Sequence, residues 1–446
     1  MSHSSSRSSL SRRGFLSAGL ASAAAVGLAA CGGQSAQTGT AGSASGKGGA
    51  EYTGPKVALT FWNGFTGGDG AFMKKLITDF QSSHSNITVT MQTMQWADFY
   101  KKLPTAVTAD KAPDIAVMHL DSVATMAARR SIQPLDDVAK ALGLQESDFA
   151  PVPWKAGIYK DVRYSIPLDV HPMGFFYNKT VMEKAGLDPD KPPLTAEDYI
   201  SALDTLKGKG IAGHWASPFQ FTGGMSVYQL VTQFGGSLFS EDAGRATWAE
   251  EPGVKAMQWW LDLVKKGYSP AKVAQDADFI AFQNDKTAFN WNGIWSLNTL
   301  AENTKVKWGV AAMPQIGEKK AVWANSHQFT LPVHKKPDDN KVEASKTFVN
   351  WVSQHSLEWA KGGQIPARNK VREESGFKAL TGQATLAEQL DYVVFPPAVP
   401  GIGDALTEFY TAVNTVMLGG KDVGATLKAA AGRADKILAA NKKKYA

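Results

Sequence analysis

The chain of 446 residues contains one cysteine, Cys31, so no disulfide bond can form within it. Small domains outside the cytoplasm often depend on disulfides, because their cores bury little apolar surface. A chain of this length can instead form two domains with substantial cores. The fold must therefore be held by its hydrophobic core alone, and no cysteine nucleophile is available beyond residue 31.

The residues that lead up to Cys31 resemble two export signals in series. Arg12 and Arg13 precede a short apolar run, as in a twin-arginine (Tat) signal. Residues 28–31 read Leu-Ala-Ala-Cys and resemble the lipobox of bacterial lipoproteins, in which a peptidase cuts before the cysteine and the thiol carries lipid. The run is too short to span a bilayer stably. We expect residues 1–30 to be a signal peptide. We expect Cys31 to carry a lipid, with palmitate as a component, that holds the exported chain on the outer face of the cytoplasmic membrane or in the periplasm.

Residues 31–54 consist almost wholly of small and polar residues, which predicts a flexible tether because such a segment buries too little apolar surface to order itself. The formal charge of the chain is +6. Three of the positive charges lie in residues 1–30, which contain no acidic residue, so the remainder carries about +3. We find no basic stripe, and we expect no nucleic-acid partner.

Residues from 57 onward alternate between strand and helix patterns. Apolar residues alternate over residues 57–62, recur at helical spacing over residues 72–80 and alternate again over residues 87–91. Residues 113–118 are typical of a buried strand. This order predicts an α/β domain with a largely parallel sheet, in which functional groups collect where the strands end. We expect residues 62–69 and 119–122 on one edge of that sheet.

Several motifs of catalysis and cofactor binding are missing from the chain. There is no Gly-x-Ser-x-Gly elbow, no phosphate-binding loop and no dinucleotide glycine fingerprint. The eight histidines show no short pairing at the spacing of metal ligands. We therefore predict no catalytic residue, no cofactor and no metal site.

Aromatic residues beside short polar residues, in loops with glycine, are the most informative pattern. A sugar ring packs its C–H face on an aromatic plane, and its hydroxyl groups require paired donors and acceptors. We predict stacking by aromatic members of this set and hydroxyl recognition by polar ones. The predicted ligand-binding residues are Trp62, Asn63, Phe65, Thr66, His119, Asp121, Asp169, His171, Trp215, Phe219, Gln220, Asn292, Trp295, Trp323, Ser326, His327 and Arg368. Other tryptophans are predicted to be core or helix-face residues, and these include Trp96 and Trp359.

Five segments in a fixed order make the chain similar to extracellular solute-binding proteins of sugar ABC transporters, the class that includes maltose-binding proteins. The segments are residues 112–115 (Ala-Pro-Asp-Ile), 166–169 (Ile-Pro-Leu-Asp), 176–179 (Phe-Tyr-Asn-Lys), 194–199 (Leu-Thr-Ala-Glu-Asp-Tyr) and 281–295, which ends in Asn-Gly-Ile-Trp. The resemblance implies two α/β lobes of mostly parallel sheet, joined by hinge segments, with a ligand cleft between them. It implies an N-terminal lobe of residues 55–167 and 315–372, and a C-terminal lobe of residues 168–314 and 373–446.

The resemblance also implies how the ligand is held and which partners act with the chain. Trp295 matches a residue that stacks on sugar in maltose-binding proteins, and His119 and Asp121 match an acidic-polar pair that contacts hydroxyl groups. At the position of His171 those proteins carry an acid, which argues against maltose itself. The implied partners are a mono- or oligosaccharide and the permease subunits of an ABC importer, and we expect a monomer.

Two other functions stay open from the sequence alone. A secreted glycoside-acting enzyme would need two facing carboxylates, and Asp121 with Asp169 is the only pair of loop acids that we can nominate. A receptor for a peptide, a polyamine or iron is the other alternative. A polyamine would need several acids around aromatic residues and iron would need paired tyrosines, and neither pattern is clear.

Overall fold

A computed structural model describes residues 51–445 of the chain. The predicted signal peptide, the lipidation site at Cys31 and the tether up to residue 50 lie outside the described residues. Packed chain begins earlier than the predicted tether boundary: the Tyr52 hydroxyl donates to the Pro55 carbonyl (2.8 Å), and the Asn86 side chain donates to the carbonyls of Tyr52 and Gly54 (3.1 Å each). None of the helices within residues 51–445 has the length and apolar character needed to cross a bilayer.

The first lobe contains a five-stranded sheet between layers of helices. Its elements up to residue 167 are β1 (Val57–Asn63), α1 (Asp69–Ser83), β2 (Ile87–Thr93), α2 (Trp96–Thr108), β3 (Ile115–His119), α3 (Leu120–Ala128), α4 (Asp136–Ala141), α5 (Pro151–Ala156), β4 (Ile158–Tyr159), β5 (Val162–Arg163) and β6 (Ile166–Pro167). The strand order is β2-β1-β3, then a strand from later in the chain, then β6. β1 is parallel to β2 and to β3, as the strand–helix–strand pattern predicts.

The second lobe is built on the long strand β7 (Asp169–Asn178), which is buried along its whole length. Its elements up to residue 325 are β7, α6 (Lys179–Ala185), α7 (Ala196–Gly208), α8 (Met225–Gln233), α9 (Glu251–Lys265), α10 (Ala277–Gln283), β8 (Phe289–Gly293), α11 (Ser296–Glu302), β9 (Trp308–Ala311) and β10 (Val322–Asn325). Helix α7 begins as its capping signal predicts, because the Thr195 side chain accepts a hydrogen bond from the amide of Asp198 (3.2 Å).

The rest of the chain returns to the first lobe and then completes the second. The first lobe gains β11 (His327–Thr330), α12 (Asp339–Gln354) and α13 (Ser356–Lys361). The remaining elements are β12 (Ile365–Pro366), α14 (Asn369–Glu373), α15 (Ser375–Lys378), α16 (Thr381–Ala387), β13 (Val393–Val394), α17 (Ile402–Gly419) and α18 (Val423–Tyr445). β10 pairs with β7 and β11 pairs with β3, so the chain passes from the second sheet into the first at Ser326.

Strand directions in the second lobe differ from the prediction. The two-lobed α/β fold is present, but β7 runs antiparallel to β8, β9, β10 and β12, and of the pairings between these named strands only β10 with β13 is parallel. The partners of β7 are separated from it by long stretches of chain, so periodicity shows that they are strands but not in which direction they run. The lobe boundaries at residues 167, 314 and 372 stay predictions.

The two lobes touch away from the crossing strands as well. The Thr125 hydroxyl of α3 accepts a hydrogen bond from the amide of Gly401, at the start of α17 (2.9 Å). Tyr445, at the end of α18, accepts two further hydrogen bonds. Arg129 donates to its hydroxyl (3.0 Å), and the Tyr159 hydroxyl donates to its backbone carbonyl (3.2 Å). These contacts join first-lobe segments to the helices that close the second lobe.

Buried histidine in the second lobe makes folding stability depend on pH. His214 is 1% exposed, its Nδ1 lies 2.7 Å from the Tyr199 hydroxyl, and burial lowers its pKa to about 3. An unfolded histidine takes up a proton near pH 6.5. As the pH falls from 6.5 towards 3, the unfolded chain therefore binds a proton that the folded chain does not. The stabilisation is complete above pH 6.5 and is lost on acidification.

The original chain should lose free energy of unfolding when the pH falls from 7.5 to 5. We expect this loss to be about 2 kcal/mol smaller in His214→Gln. Urea denaturation at the two pH values measures this loss. His355→Gln is the matched control, because His355 is exposed. Equal pH dependence in the original chain and in His214→Gln would contradict the prediction.

Candidate functional site

One carboxylate stands where the chain crosses between the two sheets. Asp169 follows β6 by two residues and opens β7, and both of its oxygens are fully buried. Oδ1 accepts hydrogen bonds from His171 Nδ1 (3.0 Å) and from the backbone amide of His327 (2.9 Å). Oδ2 accepts from His327 Nδ1 and from the indole nitrogen of Trp359, both at 2.7 Å. Asp169 thus fixes three side chains at the junction of the lobes.

Three histidines converge beside this carboxylate because of the strand register. His119 ends β3 and lies directly opposite His327, the first residue of β11, while His171 in β7 lies opposite Asn325 in β10. Opposed residues of paired strands project to the same face. The ring centroids are 4.3 Å apart for His171 and His327, 5.3 Å for His119 and His327, and 5.6 Å for His119 and His171. A ring nitrogen of each lies within 4.8 Å of one from each of the others.

The Nδ1 atoms of all three rings are already engaged. Those of His171 and His327 bind Asp169, and Nδ1 of His119 lies 2.7 Å from the Tyr100 hydroxyl. An ionised carboxylate can only accept hydrogen bonds, so His171 and His327 donate from Nδ1, and their Nε2 atoms take no part in these bonds. We name these residues, His119, His171 and His327, the histidine triad.

Burial and electrostatic repulsion lower the pKa values of two members of the triad, His119 and His171. Burial and the neighbouring His327 together lower the pKa of His171 to about 4, against the opposing effect of Asp169. Burial, His327 and His171 hold the pKa of His119 well below its ordinary value. For Asp169, burial raises the pKa, but His327 and the two imidazole hydrogen bonds outweigh burial and hold the pKa well below its usual range. The carboxylate is therefore ionised, and the imidazoles of His119 and His171 are neutral, at neutral pH.

An aromatic wall from the first lobe lines one side of the triad. Phe65 meets His327 edge-on at 5.0 Å and lies 4.7 Å from Trp359. Trp96 lies 4.3 Å from the ring of His119 and stacks on His327 at 5.6 Å. Phe65 was among the predicted residues, but Trp96 and Trp359 were interpreted as core or helix-face residues. Trp96 and Tyr100 are four residues apart on α2 and therefore lie on one face of this helix. Because α2 begins at the edge where β2 ends, that spacing is the sequence signal that could have identified both as site residues.

Tryptophans of the second lobe line the opposite side of the triad. Ring centroids of Trp295 and Trp323 lie 6.2 Å and 6.4 Å from that of His171. The indole of Trp295 covers Gly293, where any side chain would overlap the ring. The indole N–H of Trp323, like that of Trp215, is buried without an acceptor among the described residues. An unpaired buried donor is costly unless a ligand satisfies it.

Asp121 lies next to the triad and faces the second lobe. Its carboxylate accepts a hydrogen bond from Asn325 (3.1 Å), whose own oxygen accepts from the amides of Leu120 and Ser326. Burial raises the pKa of Asp121, and its charge in turn raises the pKa values of Tyr228 and Tyr410 in the second lobe, where burial is the larger cause. Asn325 is a further residue that the sequence analysis did not select.

Asp69 is a second buried carboxylate near Asp169. It is 7% exposed, Gln364 donates to its Oδ2 (3.3 Å), and its Oδ1 has no partner among the described residues. Burial raises its pKa, and it interacts electrostatically with His327 and with Asp169. The sequence analysis expected residues 62–69 on the functional edge of the sheet but did not select Asp69, which is the first residue of α1.

Trp62 lies away from the triad, which corrects the expectation that it stacks on a ligand there. Strand alternation sends Phe61 into the core with Phe329 and sends Trp62 to the other face of β1, where it packs with Phe99 and Leu103. Helices cover both faces of this strand, so both rings are buried. Trp62 borders a groove of about 520 Å³ at the amino end of β3, with Asp114 and Lys341, on the far side from the triad.

Arg368 is held within the first lobe. Its guanidinium donates to Ser353 (2.9 Å) and Asn350 (3.2 Å) and lies over the ring of Phe149. The structure does not bring this cation to the triad.

Other predicted residues have local structural partners. Asn63 and Asn292 accept hydrogen bonds from nearby backbone amides, Phe65 and Gly293 respectively, and so shape the loops that hold the aromatic rings. Ser326 accepts from Gln328 (2.9 Å) at the crossing. Phe219 and Gln220 border an irregular turn in the second lobe, and Thr66 and Gln220 are exposed.

Comparison with protein families gives a match over most of the chain. Residues 65–356 match the family model described as "Bacterial extracellular solute-binding protein". Among curated relatives, the sn-glycerol-3-phosphate-binding periplasmic protein of Yersinia enterocolitica is 25% identical over 340 residues, which cover 72% of this chain and 76% of the relative. Its counterpart in Pectobacterium atrosepticum is 26% identical over 343 residues, covering 72% and 76%.

Solved structures share the same fold. An ABC transporter solute-binding protein of Thermotoga lettingae bound with alpha-D-tagatose has a TM-score of 0.75 and 24% identity, covering 85% of this chain and 99% of that one. The GacH receptor of Streptomyces glaucescens, solved unliganded and with acarbose, has a TM-score of 0.74 and 21% identity, covering 86% and 98%. These likenesses establish the two-lobed α/β fold. The family match establishes membership: this chain belongs to the bacterial extracellular solute-binding proteins.

Proposed function

We propose that the chain is the substrate-binding component of an ABC importer and captures a mono- or oligosaccharide between its lobes. The observation that carries the proposal is the position of His171. It lies beside Trp295 and Trp323 of the second lobe and also meets His119 and His327 of the first lobe. Indole planes bind the C–H face of a sugar, and the unpaired N–H of Trp323 offers a donor to a hydroxyl or ring oxygen. A ligand that contacts both lobes stabilises the closed form, which a permease can recognise.

Named ligands of similar proteins support a sugar. The structures named above hold tagatose and acarbose, and a similar protein of T. maritima holds maltose. The curated relatives are named for sn-glycerol-3-phosphate, which carries a phosphate. In this chain Asp169, Asp121 and Asp69 surround the triad, and Arg368 is tied elsewhere. The ionised Asp169 would repel a phosphate dianion at this place, so we favour a neutral sugar.

We infer that the chain acts by binding and not by catalysis. A glycosidase needs one carboxyl group that can donate a proton. Both oxygens of Asp169 are occupied by imidazole, amide and indole donors, and its low pKa keeps it ionised. Asp169 is therefore available neither as a general acid nor as a base or nucleophile, so the pair of Asp121 and Asp169 lacks one of the two carboxyl groups that a glycosidase needs. Failure to release product from chromogenic glycosides is the expected result.

We propose that the protein works as a monomer and is lipid-anchored at Cys31 after Tat export. The anchor would hold it beside the permease on the outer face of the cytoplasmic membrane, or in the periplasm. We propose to move the lobe boundary at residue 314 to the crossing at Ser326, because β10 pairs with β7 of the second sheet and β11 with β3 of the first.

Trp295→Ala should weaken sugar binding by about 10- to 100-fold, because burial of this aromatic surface contributes about 1.5–3 kcal/mol to the binding free energy. Calorimetry of the purified chain, after thermal-shift screening of mono- to tetrasaccharides, measures the effect. Trp351→Ala is the control, since Trp351 stacks on His355 in the first lobe, away from the triad. Equal affinity in Trp295→Ala and in the control would count against the site.

Gly293→Ala tests the placement of the same indole without removing it. The added methyl group would overlap the Trp295 ring and displace it, so we expect about tenfold weaker binding. Gly208→Ala provides a matched control, because nothing lies within 4 Å of its methyl position. A loss of affinity in Gly208→Ala, or none in Gly293→Ala, would refute the assigned position of Trp295.

Cys31→Ala should release the protein from the membrane fraction, because no thiol remains to carry the lipid. Cell fractionation and incorporation of labelled palmitate in the producing bacterium measure this. Replacement of Arg12 and Arg13 by lysine should retain the chain in the cytoplasm. Membrane attachment that survives Cys31→Ala would disprove lipid anchoring at this residue.

A further inference from the structure

We propose that the histidine triad is a binding site for one divalent transition-metal ion of the zinc type, held by the Nε2 atoms of His119, His171 and His327. The inference goes beyond sugar capture and does not rest on it. The sequence predicted no metal site, since these histidines are far apart along the chain. Only the strand register places their rings together.

The surroundings of the triad match those of metal-bound histidines. Such histidines commonly donate their second ring nitrogen to a carboxylate, which fixes the tautomer and makes the other nitrogen a better ligand. Here one carboxylate, Asp169, serves His171 and His327 at 3.0 Å and 2.7 Å. For His119 the hydrogen-bond partner of Nδ1 is the Tyr100 hydroxyl, at 2.7 Å, instead of a carboxylate.

Geometry and charge also fit the ion. Tetrahedral zinc with Zn–N distances of about 2.0–2.1 Å requires nitrogens about 3.4 Å apart. Ring nitrogens within 4.8 Å reach this spacing through side-chain movements of roughly 1 Å. The ionised Asp169 supplies negative charge against the cation, and the Oδ1 atom of the buried Asp69 has no partner among the described residues.

Three protein ligands leave a fourth coordination position. Sites with three histidines keep this position for water or for an oxygen of a bound molecule. Trp295 and Trp323 lie beside His171, so the fourth position is close to the surface that we assign to the cargo. Imidazole ligands suit Zn²⁺, Cu²⁺ and Ni²⁺ better than Mg²⁺ or Ca²⁺, which prefer oxygen.

The test is a titration of the full chain, prepared without a polyhistidine tag and stripped with a chelator, with Zn²⁺ alone. We expect one equivalent to bind, and Co²⁺ in its place to give the visible absorption of tetrahedral coordination. His119→Ala is the first variant, because His119 is only half-buried and its removal leaves Asp169 satisfied. We expect its affinity to fall by about 100-fold or more. His355→Ala, at an exposed histidine, should bind as the original chain does.

Loss of folding in a variant does not end the test, because X-ray absorption of the zinc-loaded original chain counts the imidazole ligands directly. Three imidazoles in the first coordination shell are expected. The proposal is overturned if the folded chain binds neither ion, if His119→Ala binds as tightly as His355→Ala, or if absorption shows fewer than three imidazoles. No sugar is present in these measurements, so failure of sugar binding would leave their outcome unchanged.

Discussion

The Asp169 carboxylate holds the junction of the two lobes together. It is buried at the point where β6 leads into β7. It accepts a hydrogen bond from the backbone amide of His327, the first residue of β11, where the chain crosses back from β10. A buried carboxylate without partners would be expensive, but this one has four donors. Removal of a donor would expose the anion to an apolar interior, so the crossing segments depend on one another for stability.

This dependence links the fold to its function. The segments that join the lobes must bend, yet a solute bound between the lobes must meet a fixed set of side chains. The carboxylate orients His171 and His327, and these rings in turn contact the aromatic wall of the first lobe and the tryptophans of the second. The hydrogen bonds of Asp169 therefore hold side chains from both lobes in fixed orientations at the junction.

The sequence predicted the fold class and the strand–helix–strand order of the first lobe, because local periodicity determines both. Eight residues that were selected by loop chemistry lie at the candidate site: Phe65, His119, Asp121, Asp169, His171, Trp295, Trp323 and His327. The sequence did not predict the antiparallel neighbours of β7 or the convergence of the histidines, since both depend on pairings between distant segments. The sequence analysis selected Trp62 as a ligand contact and interpreted Trp96 as a core or helix-face residue. A strand residue beside a glycine loop resembles a ligand contact, whereas a helix residue resembles core.

The position of Tyr445 has a practical consequence. This residue, one from the end of the chain, is tied to Arg129 and Tyr159 on the opposite lobe. A purification handle or fluorescent protein fused directly after α18 would be crowded against that contact between the lobes. Reporter fusions that are intended to read out solute capture are therefore better inserted at a surface loop.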